Sequence, residues 1–234
     1  MKRRQGLAGS VLAACLVLAC ACGGLQPEDP GLALKQGASS TGHLKTVTAT
    51  LKVTKGKITF QGFALVSATA AIRLPDQSDT LYLVRQQDVQ IGLEVVIIDG
   101  HAFLKPPLFR FEPLSAAQAA DIPDLARLFD PGTGLPAVIP QGSKPKYLGA
   151  EAVDDVDSHK VEATYSADLV RGMLPQLSSQ GDVDAVVWVG GSDHYIRKAV
   201  LSGAFGDGGT DATVEVDLKG FDGAVTIASP ARTA

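Results

Sequence analysis

The sequence predicts an α+β fold, a curved antiparallel β half-barrel whose concave face is covered by helices. Three observations carry the prediction. Residues 88–105, DVQIGLEVVIIDGHAFLK, read as a long strand, a turn at Asp99-Gly100 and a returning strand. Apolar and polar residues alternate at period two on either side of that stretch. The elements run in the order strands, helices, strands, with short connections that favour a meander over any βαβ arrangement.

In the central stretch Val89, Ile91, Leu93, Val95 and Ile97 share one face. Gln90, Gly92 and Glu94 share the other until Val96 and Ile98 make it apolar too, so one end of the strand is buried on both sides. Asp-Gly accepts the positive φ angles of a two-residue hairpin turn.

Ahead of it, Asp29 and Pro30 are set to cap and open a short helix that Gly37 weakens. Residues 44–54 alternate as a half-buried strand. Residues 57–74 are long enough for a strand bent at Gly62 or for a pair of strands, and 81–85 follow a turn at 75–79. Beyond Pro106-Pro107 the period changes. Residues 115–129 form two short helices split by Pro123, and a loop at 130–134 opens the apolar run 135–139. Strands at 146–149 and 160–166 flank an acidic turn, and a helix follows at 167–177 with Ser166 as cap and Pro175 near its end. Strands at 184–189, 195–205, 210–218 and 225–227 complete the set.

The chain has 234 residues, 45% of them hydrophobic, enough for one sizeable core. Lys2, Arg3 and Arg4 precede an apolar run from Leu7 to Cys22, which reads as a secretory signal too short to span a bilayer comfortably. Cys15, Cys20 and Cys22 are the only cysteines, so the fold has no disulfide framework. A signal ending in cysteine after small and apolar residues resembles a bacterial lipobox, whose cysteine is diacylated and becomes the mature N-terminus. Cys22 is favoured as the lipidated residue because Gly23-Gly24 supply a flexible tether; Cys20 is the alternative, and Cys15 leaves too short an apolar region. The tether is expected to run to about Pro30, with a reach of roughly 15 Å. The predicted organisation is a lipoprotein signal at 1–21, tether and short helix at 22–42, and a single domain at 43–230.

Cleavage before Cys22 takes three of the 21 basic residues and none of the 25 acidic ones, leaving 18 against 25, a net charge of −7. That charge argues against nucleic acid as a partner, and no basic cluster suits anionic headgroups. Membrane attachment is therefore assigned to the acylated cysteine.

No residue set carries catalysis. Ser192, Asp193 and His194 are consecutive in a turn and cannot converge on one proton path, and there is no G-x-S-x-G elbow. Asp154, Asp155, Asp157 and His159 lack the glycine and terminal glutamate of a calcium loop and read as a solvated turn. The four histidines have no paired spacing, and residues 203–209 lack the lysine of a phosphate loop. Neither a metal nor a cofactor is expected, and a binding protein is favoured over an enzyme.

From about Leu44 to Pro230 the chain resembles the LppX/LprAFG family of actinobacterial, chiefly mycobacterial, lipoproteins. The matching pieces are VVIIDG at 95–100, DPGTGLPAVI at 130–139, VWV at 187–189 and VEVDLKGF at 214–221, before VTIASP at 225–230. The resemblance implies a half-barrel similar to periplasmic lipoprotein carriers, enclosing an apolar cavity for the acyl chains of envelope lipids or glycolipids. It implies a monomer, lipid-anchored on the extracytoplasmic face of the cell membrane, that carries such lipids between membranes. The alternative is a structural or assembly lipoprotein that binds a protein partner without lipid. The residues expected to line the cavity are Val89, Ile91, Leu93, Val95 and Ile97 from the central strand, with Leu128, Phe129 and Leu135 from the covering helices.

Overall fold

A computed structural model describes residues 25–173 and 179–230. The leader with its three cysteines, and the last four residues of the expected 167–177 helix, lie outside them. The described residues form twelve strands: β1 (Thr46–Lys55), β2 (Thr59–Phe60), β3 (Phe63–Arg73), β4 (Gln77–Gln86), β5 (Val89–Ile98), β6 (His101–Lys105), β7 (Glu112–Pro113), β8 (Ser143–Val153), β9 (Val156–Tyr165), β10 (Val183–Gly190), β11 (Ile196–Gly203) and β12 (Ala212–Lys219). They belong to one open antiparallel sheet in the order β7-β6-β5-β4-β3-β1-β12-β11-β10-β9-β8, with β2 paired to β3.

This order is two meanders joined by β1, which leaves the N-terminal half to lie between β3 and β12, with Leu51 opposite both Ala68 and Val216. Three hairpins turn through paired positive φ angles, at Gln61-Gly62, Asp99-Gly100 and Asp154-Asp155, the geometry that matches the twist of the flanking strands. Register shifts within the β3–β4, β1–β12, β10–β11 and β8–β9 pairs bend the strands and help the sheet to curl.

Helices occupy the concave side. α1 (Pro30–Thr41) is capped by the Asp29 carboxylate, which accepts from the Leu32 amide at 2.8 Å, with Pro30 at the first helical position. Gly37 does not weaken it: the helix runs on for another turn because the missing Cβ lets its backbone lie against Val189 and Ile196. α2 (Ala116–Ala120) opens on a reciprocal cap between Ser115 and Gln118. A 3-10 turn (Leu125–Phe129), α3 (Leu135–Val138) and α4 (Ala167–Met173) complete the cover.

Three inward clusters form the core, the smallest gathering Ile58, Val183, Phe205, Ala212 and Val214. Of the two larger, one packs Leu34 and Ala38 of α1 on Val47, Ile72, Val161, Val189 and Leu218; the other gathers Phe60, Tyr82, Val84, Leu93, Val95 and Ile97 beneath Ile122. Val96 and Phe103 are buried on the opposite face of β5 and β6, as the apolar run at 95–98 requires.

Three sequence expectations change. The turn before β4 is confined to 74–76, so the strand starts at Gln77. Residues 225–227 form no strand; Arg73 donates to the Val225 carbonyl instead. Residues 25–29 are not a free tether: Leu25 fills the space where Gly191 has no Cβ, and the Glu28 carboxylate lies 3.1 Å from the Nε2 of buried His159.

Candidate functional site: paired apolar cavities under the helices

Alternation along the C-terminal strands puts Val183, Ala185 and Val187 of β10, Ala199 and Leu201 of β11, and Val214, Val216 and Leu218 of β12 on the inward face. Two of these are alanines at mid-strand, where larger side chains would reach the covering helices. The room they leave is roofed by Leu125, Leu128, Leu135, Val138, Val170 and Met173 and closed at one end by Phe205. The resulting cavity measures about 1090 Å³ including its open mouth, and no polar atom contributes to its exposed wall. Tyr165 stands in that wall, but its hydroxyl turns away and donates to the Ile139 carbonyl at 3.1 Å. Burial pushes the Tyr165 phenol well above its ordinary 10.0.

A second cavity of about 930 Å³, also counted with its mouth, lies toward the N-terminal half. It shares Leu51, Leu125, Leu128, Leu135, Val216 and Leu218 with the first, so that one wall separates the two. Its other boundaries include Ala49, Ala68, Ile72, Tyr82 and Phe129, and it differs from the first in carrying Thr59, Gln61 and Asp121.

Of the residues expected to line a cavity, Leu128 and Leu135 bound both and Phe129 bounds the second. The five β5 residues bound neither. Leu93, Val95 and Ile97 pack into the second core cluster with Ile91 against it, while Val89 is 62% exposed. Their inward side chains are taken up by packing with Phe60, Tyr82, Val84 and Ile122, while the two cavities lie over β1, β3 and β10–β12. The wall residues of β10–β12 are not among those expected from sequence, although Ala185 and Ala199 among valines and leucines are a sequence sign of room on the inward face.

The polar constellations are held elsewhere. Asp193 is paired to Arg197 and accepts from the Tyr195 amide, while His194 sits at φ 58° in the turn. Asp154 pairs with Lys219 at 2.8 Å. His159 faces Glu28, not the aspartates near it in sequence.

An open antiparallel sheet curled around helices, with apolar voids between the two layers, defines a half-barrel fold. The chain belongs to the LppX_LprAFG lipoprotein family, whose sequence model matches residues 29–227. It is 34% identical over 156 residues to the lipoarabinomannan carrier protein LprG of Mycolicibacterium hassiacum, a match that spans 66% of this chain and 64% of that one. It is 26% identical over 229 residues to the protein of the same name from Mycobacterium tuberculosis H37Rv, across 96% of this chain and 91% of that one. Among solved structures, LprF from Mycobacterium bovis superposes with a TM-score of 0.68 at 19% identity, covering 86% of this chain and 97% of that one. The Mycobacterium tuberculosis lipoprotein LppX gives 0.60 at 18%, covering 86% and 100%. Both share the half-barrel fold. No helix among the described residues is long and apolar enough to cross a membrane.

Proposed function

We propose that this protein is a cell-envelope carrier that holds the acyl chains of a lipid or glycolipid in its paired cavities and moves them between membranes. The observation that carries the reading is the first cavity, whose exposed wall is entirely apolar. Each methylene withdrawn from water contributes about 0.8 kcal/mol, so a dozen buried methylenes stabilise a bound chain by roughly 10 kcal/mol before ordering costs. Hydrocarbon burial alone therefore supplies the affinity, and no reacting group is required. The relatives named as lipoarabinomannan carriers support the same class of cargo.

In this reading the leader is cleaved before an acylated cysteine, Cys22 or alternatively Cys20, and the monomeric domain stays at the outer face of the cytoplasmic membrane. Leu128, Leu135 and Phe129 contact the chains directly, and Leu93, Val95 and Ile97 hold the sheet that backs them.

Mass spectrometry of organic extracts from the purified, non-acylated domain tests the proposal. Acylated lipid should be present in stoichiometric amount and should be lost from Ala199→Trp, which fills the first cavity from its floor, while circular dichroism stays unchanged. Equal lipid in both proteins, or none in the first, sinks it.

A second reading, an assembly lipoprotein that docks a protein partner, is favoured by Leu108 and Phe109. Their side chains stand fully and two-thirds exposed on the turn after β6. That reading predicts an empty extract and a partner lost with Leu108→Ser/Phe109→Ser.

A further inference from the structure

Residues 106–111, which join β6 to β7, carry an apolar pair that the fold itself does not use. The Phe109 amide donates to the Pro106 carbonyl at 3.2 Å, closing a tight turn in which Leu108 holds the third position at φ 67°. Glycine or asparagine is the usual residue at such a position, because a Cβ is strained there. Every other described non-glycine residue with a positive φ is polar. Leucine accepts that strain and gains no packing in return: it is fully exposed, and Phe109 beside it is two-thirds exposed. An apolar residue that is both strained and solvated points to a use outside the fold. The base of the loop is firmly held, with the Lys105 ammonium 2.8 Å from the Glu94 carboxylate and 5.2 Å from the centre of the Phe111 ring.

A protein partner and a bilayer would both suit an apolar tip, and three features select the bilayer. Two such side chains offer on the order of 300 Å², well short of the roughly 800 Å² per partner of a stable protein interface. Residues 100–111 contain His101, Lys105 and Arg110 but no acid, in a chain of net negative charge, so nothing at the tip is repelled by headgroups. The same segment then continues as the cover of the second cavity. It passes through α2, where Ala116, Ala117 and Ala120 are exposed, to Asp121 and Pro123 in the cavity boundary.

We propose that Leu108 and Phe109 insert into the interfacial layer of a lipid bilayer and seat the cover of the second cavity on that surface. Apolar insertion supplies the hold, so the contact needs no particular headgroup and no anionic lipid. The inference goes beyond the carrier reading and takes from it only the choice of a lipid surface. Strands alternate in direction from β6 across the sheet to β10, so the loop after β6 lies at the strand ends opposite those beside which Leu25 meets Gly191. The tip therefore points away from the tethered end, and the surface it meets is a second one.

Flotation with phosphatidylcholine vesicles tests the proposal on the protein expressed from Gly23 onward, without leader or acyl group. Wild type should float with the vesicles at low and high salt alike. Leu108→Ser/Phe109→Ser should lower the partition coefficient by about tenfold or more, with circular dichroism unchanged. The chain from Gly23 onward has no cysteine, so Leu108→Cys takes a single environment-sensitive fluorophore. Its emission should move to shorter wavelength on vesicles, while the same label at Leu148→Cys, on the opposite edge strand β8, should not respond. A wild type that stays in the aqueous fraction, a double variant that floats as well as wild type, or binding abolished by high salt overturns the inference. A protein that co-purifies with a non-floating wild type and is lost from the double variant gives the tip to a protein partner instead. Organic extracts keep this inference apart from the carrier reading. Neither Leu108 nor Phe109 borders a cavity, so lipid content should be equal in wild type and double variant. Empty extracts from a protein that floats would end the carrier reading and leave the inserted tip standing.

Discussion

A Cβ on Gly37 of α1 would lie 3.2 Å from the Val189 Cγ2 of β10 and 3.1 Å from the Ile196 Cγ1, so the helix backbone rests directly on the sheet. Alanine there gains about 1 kcal/mol of helix propensity and loses a similar amount to the tight contact. Gly37→Ala should therefore shift stability by less than about 1 kcal/mol, whereas Gly37→Leu should lift α1 and cost more than about 2 kcal/mol. Denaturant unfolding monitored by circular dichroism separates the two.

Alkaline stability should be governed by two phenols. Burial pushes both Tyr82 and Tyr165 well above their ordinary 10.0. The neutral phenol is the form the folded state favours, so its contribution is complete below pH 10 and is lost as pH rises towards the folded-state values. Absorbance at 295 nm should show these two tyrosines ionising only as the chain unfolds. Tyr165→Phe, which gives up one hydrogen bond, should flatten the fall in stability above pH 10.

The fold was readable where one physical rule decided the outcome. Period two in residues 89–98 and the Asp99-Gly100 pair specify a hairpin whose turn adopts the φ angles expected, 51° and 76°. Pro123 divides its segment into α2 and a 3-10 turn, and Asp29 caps α1, for equally local reasons. What local pattern does not specify is which strands become neighbours. Nothing in residues 46–55 announces that β1 pairs with β12, far along the chain, and that pairing sets Leu51 opposite Val216, both of which border the two cavities. Val95 and Val187 have the same period and similar burial, yet only Val187 borders a cavity. Leu128 and Leu135 were recognisable because a helix covering a sheet faces whatever space lies between them.

At the rim of the second cavity, Asp207 holds β2 in place. Its carboxylate accepts from the Thr59 amide and hydroxyl, both at 2.7 Å, and from Lys57 at 3.3 Å. The Thr59 bonds are the main reason its pKa lies below the ordinary 3.8. The contribution is present above pH 3.8 and is lost as pH falls through the lowered value. Asp207→Asn should lower the protection of the Thr59 amide, relative to its intrinsic exchange rate, severalfold at neutral pH, and wild type should lose the same protection only below pH 3.8. Unchanged protection in the variant would show that the β2–β3 pairing alone holds the rim.

The last prediction concerns how close the domain sits to its anchor. With Leu25 seated at Gly191 and Glu28 facing His159, acylation at Cys22 leaves only Gly23 and Gly24 between lipid and packed chain; acylation at Cys20 leaves four residues. Two residues of extended chain reach about 7 Å, so the end of the sheet carrying Gly191 is held against the headgroups. Cys22→Ala should release the protein or leave an uncleaved precursor with its thermal unfolding unchanged, since the packed contacts described begin at Leu25. If Cys22→Ala is still acylated and cleaved while Cys20→Ala is not, the anchor is two residues earlier. If Cys22, Cys20 and Cys15 can each be replaced without effect on membrane fractionation, the carrier is not anchored through cysteine. Where the anchor is confirmed, Leu25→Gly/Glu28→Gln tests the strap on the anchored protein. Freeing the strap should lengthen the tether by about five residues and expose 25–29 to protease, leaving lipid content in organic extracts unchanged because neither residue borders a cavity.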